Sequence, residues 1–240
     1  LQSLYYRQIV PKLLAQCHHI LTNSRYTLHQ ISTTLNIPEK KITAIPLAID
    51  QAVFKPNPTN RKQPYLLHVG HHYPHKNQLG LLHAFAKLSM RHKDLKLIMV
   101  GKYHARHSKN IFRAIQDLSL ESRVNVIPYA SQQKLVELYQ SALALIFPSL
   151  WEGYGLPIIE AMACGTPVIT SRGSGCEETA NGAALLIDPH SLSSIEEGIG
   201  RLVDEPTLQR ELTSLGLART SGLSWDKAGL EARRCLESLL

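Results

Sequence analysis

The sequence lacks the marks of several common protein classes. Its four cysteines (Cys17, Cys164, Cys176 and Cys235) include no Cys-x-x-Cys pair, which excludes a zinc ribbon of the usual spacing and a small disulfide-stapled fold. Reduced thiols, most of them buried, are the favoured interpretation. No apolar run approaches the roughly 20 residues that a membrane-spanning helix needs, and neither internal repeats nor low-complexity segments are present. We therefore expect a soluble, globular chain in the cytoplasm.

Acidic residues are also fewer than basic ones. The 26 lysines and arginines outnumber the 19 aspartates and glutamates, which gives a formal net charge of +7. Such an excess attracts phosphate-bearing ligands or an anionic membrane face without identifying either. No zinc-finger spacing, aromatic RNA-binding strand motif or basic zipper is present, so nucleic acid is not an expected partner. The densest basic stretch, residues 102–113 (KYHARHSKNIFR), is interpreted as a solvated loop before a helix, with peripheral contact at the inner membrane face as the alternative.

Apolar segments with strand-like and helix-like spacing alternate over most of the chain. Near-continuous apolar runs, such as residues 65–69, 95–100 and 144–147, are typical of parallel strands that are buried on both faces. The segments between them repeat apolar residues at helical spacing. This order predicts an α/β fold with a Rossmann-like parallel sheet and helices on both faces.

Composition indicates the domain boundaries. Residues 53–64 hold three prolines and two asparagines, which is typical of a linker. We therefore assign residues 59–222 to the Rossmann-like domain and residues 1–58 to the tail of a truncated N-terminal domain with its linker. Residues 223–240 are assigned to a C-terminal helix. Because Leu1 is not an initiator, we expect further chain upstream of it.

The most informative stretch is residues 148–170 (PSLWEGYGLPIIEAMACGTPVIT), which predicts a strand end, a glycine-rich loop, a helix opened by Pro157 and another strand. The helix N-terminus then points at the loop. Its unpaired N–H groups and the positive end of its dipole favour an anion, and Gly153 and Gly155 let a ligand approach the backbone closely. Phosphate or pyrophosphate is the expected ligand.

Two carboxylates frame this loop, Glu152 before it and Glu160 in the helix. An ionised carboxylate only accepts hydrogen bonds, so both side chains can bind sugar hydroxyls beside a phosphate. Together they suggest a nucleotide sugar. Taken singly, Glu152 is as well explained as a solvated loop residue and Glu160 as an acid near a helix start.

A second candidate site is the loop at residues 70–77 (GHHYPHKN), which follows the first strand of the predicted sheet. Ligands of such sheets bind beyond the carboxyl ends of the strands, where Gly70 and Lys76 are expected. A lysine there can neutralise a pyrophosphate leaving group as the glycosidic bond breaks, while a solvated loop cation is the alternative. The histidines of this region lack the spacing of a zinc site, and we predict no metal. They are His68, His71, His72 and His75.

The string as a whole resembles a known signature. Glu152, seven intervening residues and Glu160, followed by residues 161–168 (AMACGTPV), resemble the E-x7-E donor motif of the group 1 (family 4) retaining glycosyltransferases. The resemblance continues through Val69-Gly70, Lys76-Asn77 and residues 183–189 (AALLIDP) and covers most of the chain. It implies the GT-B fold, of which this chain would be mainly the C-terminal, donor-binding half. The C-terminal helix looks like the one that crosses back to the N-terminal domain in that fold.

The resemblance also implies a role for each site residue. Lys76 and Glu152 would be catalytic, Lys76 on the diphosphate and Glu152 on the transferred sugar, and Glu160 would accept from the ribose. The substrate-binding residues are Gly70, His71, Tyr129, Gly153, Tyr154, Gly155, Leu156 and Glu160, several of them through the backbone, with Tyr129 near the base. Front-face displacement, in which the leaving phosphate helps to deprotonate the acceptor, requires neither a metal, a cofactor nor a protein nucleophile.

Two positions depart from the family pattern. His71 stands where an arginine is common, and a histidine carries only part of a positive charge at neutral pH. Ala48 stands where a glycine is common, in a turn that favours positive φ.

Our interpretation is the donor half of a retaining glycosyltransferase. GDP-mannose is the favoured donor and UDP- or ADP-sugars remain open, while the acceptor, a carbohydrate or a lipid-linked sugar, cannot be identified. The alternative is a truncated chain that binds a nucleotide sugar without transferring it. A GT-B epimerase or phosphorylase is a further, less favoured alternative.

Overall fold

The computed structural model describes residues 8–239, in which two compact units form. One comprises the chain up to Ala48 together with the chain from Leu223 onward, and the other is Ile49–Gly222. The division after Ala48 falls earlier than the predicted boundary at residue 58, because Phe54 packs against the core of the larger unit. The Gln140 side chain also donates to the Lys55 carbonyl (2.8 Å), which ties the predicted linker to that unit.

The helices and strands alternate as the sequence predicts. The helices are, in chain order, α1 (Val10–Gln16), α2 (Arg25–Leu35), α3 (Gln78–Arg91), α4 (His107–Asp117), α5 (Gln132–Ser141), α6 (Leu156–Ala163), α7 (Gly175–Ala180), α8 (Leu192–Asp204), α9 (Pro206–Ser221) and α10 (Trp225–Glu237). The strands are β1 (Ile20–Thr22), β2 (Ile42–Ala44), β3 (Gln63–Val69), β4 (Lys96–Val100), β5 (Val124–Ile127), β6 (Ala142–Phe147), β7 (Val168–Ser171) and β8 (Leu185–Ile187). Short 3-10 turns lie at Glu39–Lys41 and Pro74–Lys76.

In the smaller unit, β1 and β2 form a two-stranded parallel sheet in which Ile20 lies opposite Ile42. Helix α2 begins where Ser24 caps it, since the serine hydroxyl accepts from the Thr27 N–H (3.0 Å). Ala48 is buried. The expected strain at this residue is absent, because the non-glycine residues with positive φ in the described part of the chain are elsewhere. They are Asn36, Asn77, Ser119 and Asn181.

The larger unit contains a six-stranded parallel sheet in the order β5-β4-β3-β6-β7-β8. Successive side chains of a strand point to opposite faces, and each face carries its own core. Leu66 belongs to the core beneath α3, α4 and α8, whereas Leu67 belongs to the core beneath α5, α6 and α7. The predicted α/β fold with helices on both faces is therefore confirmed.

The strand order places a topological switch point between β3 and β6. From β3 the sheet grows one way through β4 and β5, and then the other way through β6, β7 and β8. In open α/β sheets, ligands bind in the crevice beyond the carboxyl ends of the strands on either side of such a point. Gly70 follows β3 and Pro148 follows β6, so both predicted loops leave the sheet at this crevice.

Two of the four thiols are buried and two are not. Cys164 and Cys176 are buried, Cys235 is partly exposed and Cys17 is exposed, so the expectation of mostly buried cysteines is right for only two of them. Across residues 8–239, none of the helices combines the length and the apolar character needed to cross a bilayer.

Candidate functional site

A cleft of about 920 Å³ opens at the carboxyl ends of β3, β4 and β5 beside the start of α6. Six of the predicted site residues line it: Gly70, His71, Lys76, Tyr129, Leu156 and Glu160. A second cavity of about 820 Å³ lies at the opposite ends of the same strands, where Gln63, Lys96 and Val124 begin them. It contains none of the predicted residues, and parallel sheets bind ligands at their carboxyl ends, so the first cleft is the candidate site.

The floor of the cleft is made by two loops in close contact. The Gly70 N–H donates to the Val100 carbonyl (2.8 Å), which extends the pairing of β3 with β4 by one residue. A Cβ at Gly101 would lie 2.0 Å from the Gly70 carbonyl oxygen, so only glycine fits there. Gly101 and Lys102 also line the cleft, and the sequence interpretation missed both. A glycine directly after a buried strand was the signal that could have found them.

His71 is exposed in the cleft wall, and its ring orientation is set by the neighbouring loop. The Lys102 N–H donates to Nδ1 of His71 (3.1 Å). Because a backbone N–H can only donate, Nδ1 accepts and the ring proton resides on Nε2. At the position where the resemblance leads one to expect an arginine, the chain therefore presents Nε2 of a histidine as a hydrogen-bond donor.

The two residues predicted to be catalytic form an ion pair. Lys76 Nζ lies 2.5 Å from Glu152 Oε1, although the residues are 76 positions apart, and their side chains are only 16% and 15% exposed. Lys76 Nζ also lies 4.9 Å from the centre of the Phe147 ring. The Leu150 N–H donates to the His75 carbonyl (2.7 Å), which holds the two loops together. No spacing in the sequence links the two residues, so this pair was not predicted.

The loop before α6 is fixed from behind by α7. The Gly175 N–H donates to the Glu152 carbonyl (3.0 Å), and a Cβ at Gly175 would lie 2.3 Å from the Gly153 carbonyl oxygen. The turn at residues 173–175 therefore supports this loop from behind. Gly155, with φ of +108°, occupies a conformation that favours glycine and begins α6.

Glu152, Gly153, Tyr154 and Gly155 do not line the cleft directly. Glu152 reaches it through Lys76. The Tyr154 side chain is buried, and its carbonyl accepts from the Thr179 hydroxyl (2.8 Å). Its side chain is thus directed into the core, and the predicted contacts of this loop with a ligand would have to come from its backbone.

Glu160 projects from α6 into the cleft, and its carboxylate Oε2 accepts from the Tyr139 hydroxyl (2.8 Å). Burial raises the pKa of Glu160, while the Tyr139 hydrogen bond opposes that rise. Burial, with the nearby Glu160 carboxylate, raises the pKa of Tyr139 well above its ordinary value, so the hydroxyl stays a donor. No spacing in the sequence links Tyr139 to Glu160.

Tyr129 follows β5 between Pro128 and Ala130, and all three line the far wall of the cleft. Its side chain is 81% exposed, so it does not pack against the core. An exposed ring at the cleft edge offers a flat apolar surface to a ligand.

The buried histidines are engaged within the protein. His68 Nδ1 hydrogen-bonds the Ile146 carbonyl (3.0 Å), and burial lowers the pKa of His68 to about 4. His72 Nδ1 lies 2.9 Å from the Ser108 hydroxyl oxygen. Within the described part of the chain, no three His, Cys, Asp or Glu side chains are grouped so that they could hold a metal ion.

Comparison with known proteins gives a consistent family. Residues 50–216 match the family described as glycosyl transferases group 1. The chain is 28% identical to O-antigen chain mannosyltransferase B of Escherichia coli and 30% identical to O-antigen chain mannosyltransferase RfbU of Salmonella typhimurium, each over 86% of this chain and 57% of the relative. A third relative, MMP alpha-(1->4)-mannosyltransferase of Mycolicibacterium hassiacum, is 29% identical over 85% of this chain and 49% of its own. The chain thus spans about half the length of the curated relatives it matches.

Solved structures share the fold. Sucrose-phosphate synthase from Thermosynechococcus elongatus superposes with a TM-score of 0.84 at 24% identity, over 95% of this chain and 60% of its own. HepE of Anabaena, solved with UDP-glucose, superposes with a TM-score of 0.85 at 18% identity, over 96% of this chain and 67% of its own. These likenesses confirm the GT-B type of fold that the sequence predicts for the larger unit.

Proposed function

The chain belongs to the group 1 glycosyltransferases, and we propose that it is the donor-binding part of a retaining transferase that uses a nucleotide-diphosphate sugar. The observation that carries this proposal is the convergence of Lys76, Glu160 and Tyr129 on one cleft at the switch point of the sheet. Its volume of about 920 Å³ is within the size range of small-molecule sites. A cation, a carboxylate and an exposed ring suit a diphosphate, a ribose and a base respectively.

In this proposal the diphosphate lies between Lys76, His71 and the start of α6. The Lys76 ammonium stabilises the charge that develops on the leaving phosphate, and Nε2 of His71 donates a hydrogen bond to it. The N-terminus of α6 contributes the positive end of its dipole. To bind the diphosphate, Lys76 gives up its ion pair with Glu152. The Glu152 carboxylate then accepts a hydrogen bond from a hydroxyl of the transferred sugar.

We propose GDP-mannose as the donor, because three relatives at 28–30% identity are named mannosyltransferases. Retention rests on the resemblance of Glu152 and Glu160 to the E-x7-E motif. The proposed mechanism is front-face displacement, in which the leaving phosphate deprotonates a carbohydrate or lipid-linked acceptor and no metal or cofactor takes part. We place the reaction at the cytoplasmic face of the membrane, with residues 102–113, where Tyr103 and Phe112 are exposed, as the peripheral contact.

The alternative is that the chain alone binds the donor without transferring the sugar. It is favoured by one observation, that the chain spans 57% of the length of the two O-antigen relatives. A radiolabelled transfer assay on the chain separates the two functions, because sugar transferred to an acceptor would exclude the binding-only alternative.

The test of the donor site is calorimetric titration of the chain with GDP, UDP and ADP and with their sugars. We expect GDP and GDP-mannose to bind most tightly, and Lys76→Ala and Glu160→Ala each to weaken binding about tenfold or more, as expected for a lost hydrogen bond to a charged group. Lys87→Ala and Glu196→Ala are matched controls, because these side chains form an exposed ion pair (3.0 Å) away from the cleft. A folded chain that binds none of the nucleotides would refute the donor site.

A further inference from the structure

Tyr139 is fixed at both of its polar ends. It lies on α5 with none of its surface exposed, and its hydroxyl is 2.8 Å from Glu160 Oε2. Its carbonyl accepts from the Thr166 hydroxyl, and the Thr166 oxygen accepts in turn from Lys62 Nζ (3.1 Å). The ring packs beside Phe54, with 6.4 Å between the ring centres. The hydroxyl therefore has little freedom to move away from Glu160.

This contact gives the two oxygens of the Glu160 carboxylate different roles. An ionised carboxylate only accepts, so the hydrogen bond runs from the Tyr139 hydroxyl to Oε2. The other oxygen is left for a ligand in the cleft, which Glu160 lines and Tyr139 does not. A glutamate side chain loses conformational entropy when it is fixed in one rotamer. Because the Tyr139 contact fixes Glu160 before a ligand binds, that entropy is not lost on binding and the affinity is higher.

We propose that Tyr139 is a positioning residue, which directs the Glu160 carboxylate at the ribose hydroxyls of a bound nucleotide without touching the nucleotide itself. The inference rests on the proposed function, since it requires a ribose at Glu160. It goes further by making preference for ribose over deoxyribose depend on a buried tyrosine that lies outside the cleft. The hydroxyl, and not the ring, carries this effect.

The test is calorimetry with GDP and 2′,3′-dideoxy-GDP on the wild-type chain and on Tyr139→Phe. We expect the wild type to prefer GDP, and Tyr139→Phe to weaken GDP binding about tenfold while leaving dideoxy-GDP binding unchanged. Tyr65→Phe is the matched control, because its buried hydroxyl donates to the Leu138 carbonyl (2.7 Å) and lies outside the cleft. It should lower stability without changing the preference.

A second readout follows Glu160 directly, through the carboxyl carbon shift of labelled glutamate in an NMR pH titration. Removing the Tyr139 donor leaves burial unopposed, so the pKa of Glu160 should rise further in Tyr139→Phe and stay unchanged in Tyr65→Phe. Two other titratable groups lie nearby. Burial raises the pKa of Cys164 to about 12 and lowers that of Lys62 to about 8, so neither changes its charge at acidic pH.

The outcomes separate this inference from the function on which it rests. If the wild type binds and prefers GDP and Tyr139→Phe keeps the full preference, the positioning role is wrong while the donor site stands. The same holds if the Glu160 titration is identical in the two chains. If the wild type binds GDP and dideoxy-GDP equally, the ribose contact of Glu160 is refuted, and with it the role of Tyr139. No binding of either nucleotide refutes the donor site as well.

Discussion

The Lys76–Glu152 ion pair gives the most demanding test of the site's electrostatics. Replacing either residue alone, as Lys76→Met or Glu152→Gln, leaves the other polar group in a setting where about 15% of the side chain is exposed. Exposed pairs contribute about 0–1 kcal/mol, whereas losing one partner of a fully buried pair costs about 3–5 kcal/mol. At this intermediate exposure we expect each single substitution to lower the free energy of unfolding by about 2 kcal/mol.

The double substitution removes both charges and should cost less than the sum of the singles. We therefore expect a coupling energy of about 1–2 kcal/mol, which is measurable against a typical total stability of about 5–15 kcal/mol. The assay is urea unfolding followed by tryptophan fluorescence. The chain has two tryptophans, so a Trp225→Phe background leaves Trp151 to report on the larger unit.

The exposed pair of Lys87 and Glu196 (3.0 Å) supplies the control cycle, in which we expect a coupling below about 1 kcal/mol. Free energies at Lys76 and Glu152 that add within about 0.5 kcal/mol would contradict the reasoning. The two loops would then be held by the hydrogen bond from the Leu150 N–H to the His75 carbonyl, and the ion pair would contribute nothing to stability in solution.

Three further predictions test other parts of the site and the proposed membrane contact. Because burial raises the pKa of Glu160, the stability contributed by its protonated form is present below the unfolded-chain value of 4.5 and is lost as pH rises through the raised folded value. Glu160→Gln should therefore have a higher melting temperature than the wild type at pH 7, and this difference should vanish below pH 4. It should also bind GDP about tenfold more weakly. A difference in melting temperature that does not depend on pH would contradict this. Gly101→Ala places a Cβ 2.0 Å from a carbonyl oxygen and should cost at least about 1–3 kcal/mol in urea unfolding, whereas Gly222→Ala, with open space around it, should not. The double substitution Lys109→Glu with Arg113→Glu should abolish co-sedimentation with phosphatidylserine vesicles at low salt. If the wild-type chain itself stays in solution, the proposed membrane contact is refuted.

The sheet was predictable because its information is local. Buried parallel strands need uninterrupted apolar runs, and residues 65–69 and 144–147 provide them whatever the rest of the chain does. The sheet rule then brought Gly70, Lys76 and Glu160 to one crevice, since it requires only that each follows the right strand or begins the right helix.

The pairings within the crevice were not predictable, because they depend on side chains that meet across separate elements. Lys76 meets Glu152 where the Leu150 N–H joins their two loops by donating to the His75 carbonyl, and Tyr139 of α5 meets Glu160 of α6. Neither contact leaves a spacing in the sequence. Tyr154, a predicted substrate-binding residue, has a buried side chain, so the contact predicted for it would come from its backbone.

The two partnerships have opposite consequences for binding. Tyr139 leaves one Glu160 oxygen available, so a ribose can bind without breaking a contact. In the proposed site Lys76 is instead drawn away from Glu152, and a nucleoside diphosphate then leaves that carboxylate facing an anion without a partner. A nucleotide sugar supplies a hydroxyl in its place.

The wild-type chain should therefore bind GDP-mannose more tightly than GDP, even though GDP, with its unesterified terminal phosphate, carries the greater negative charge. In Glu152→Gln the carboxylate is gone and a neutral amide faces the diphosphate, so GDP should gain affinity and the difference between the two ligands should shrink. Calorimetric titration of both chains with both ligands measures this directly. An unchanged ratio of the two dissociation constants would mean that Glu152 neither competes for Lys76 nor contacts the sugar, and that the ion pair serves the stability of the loops alone.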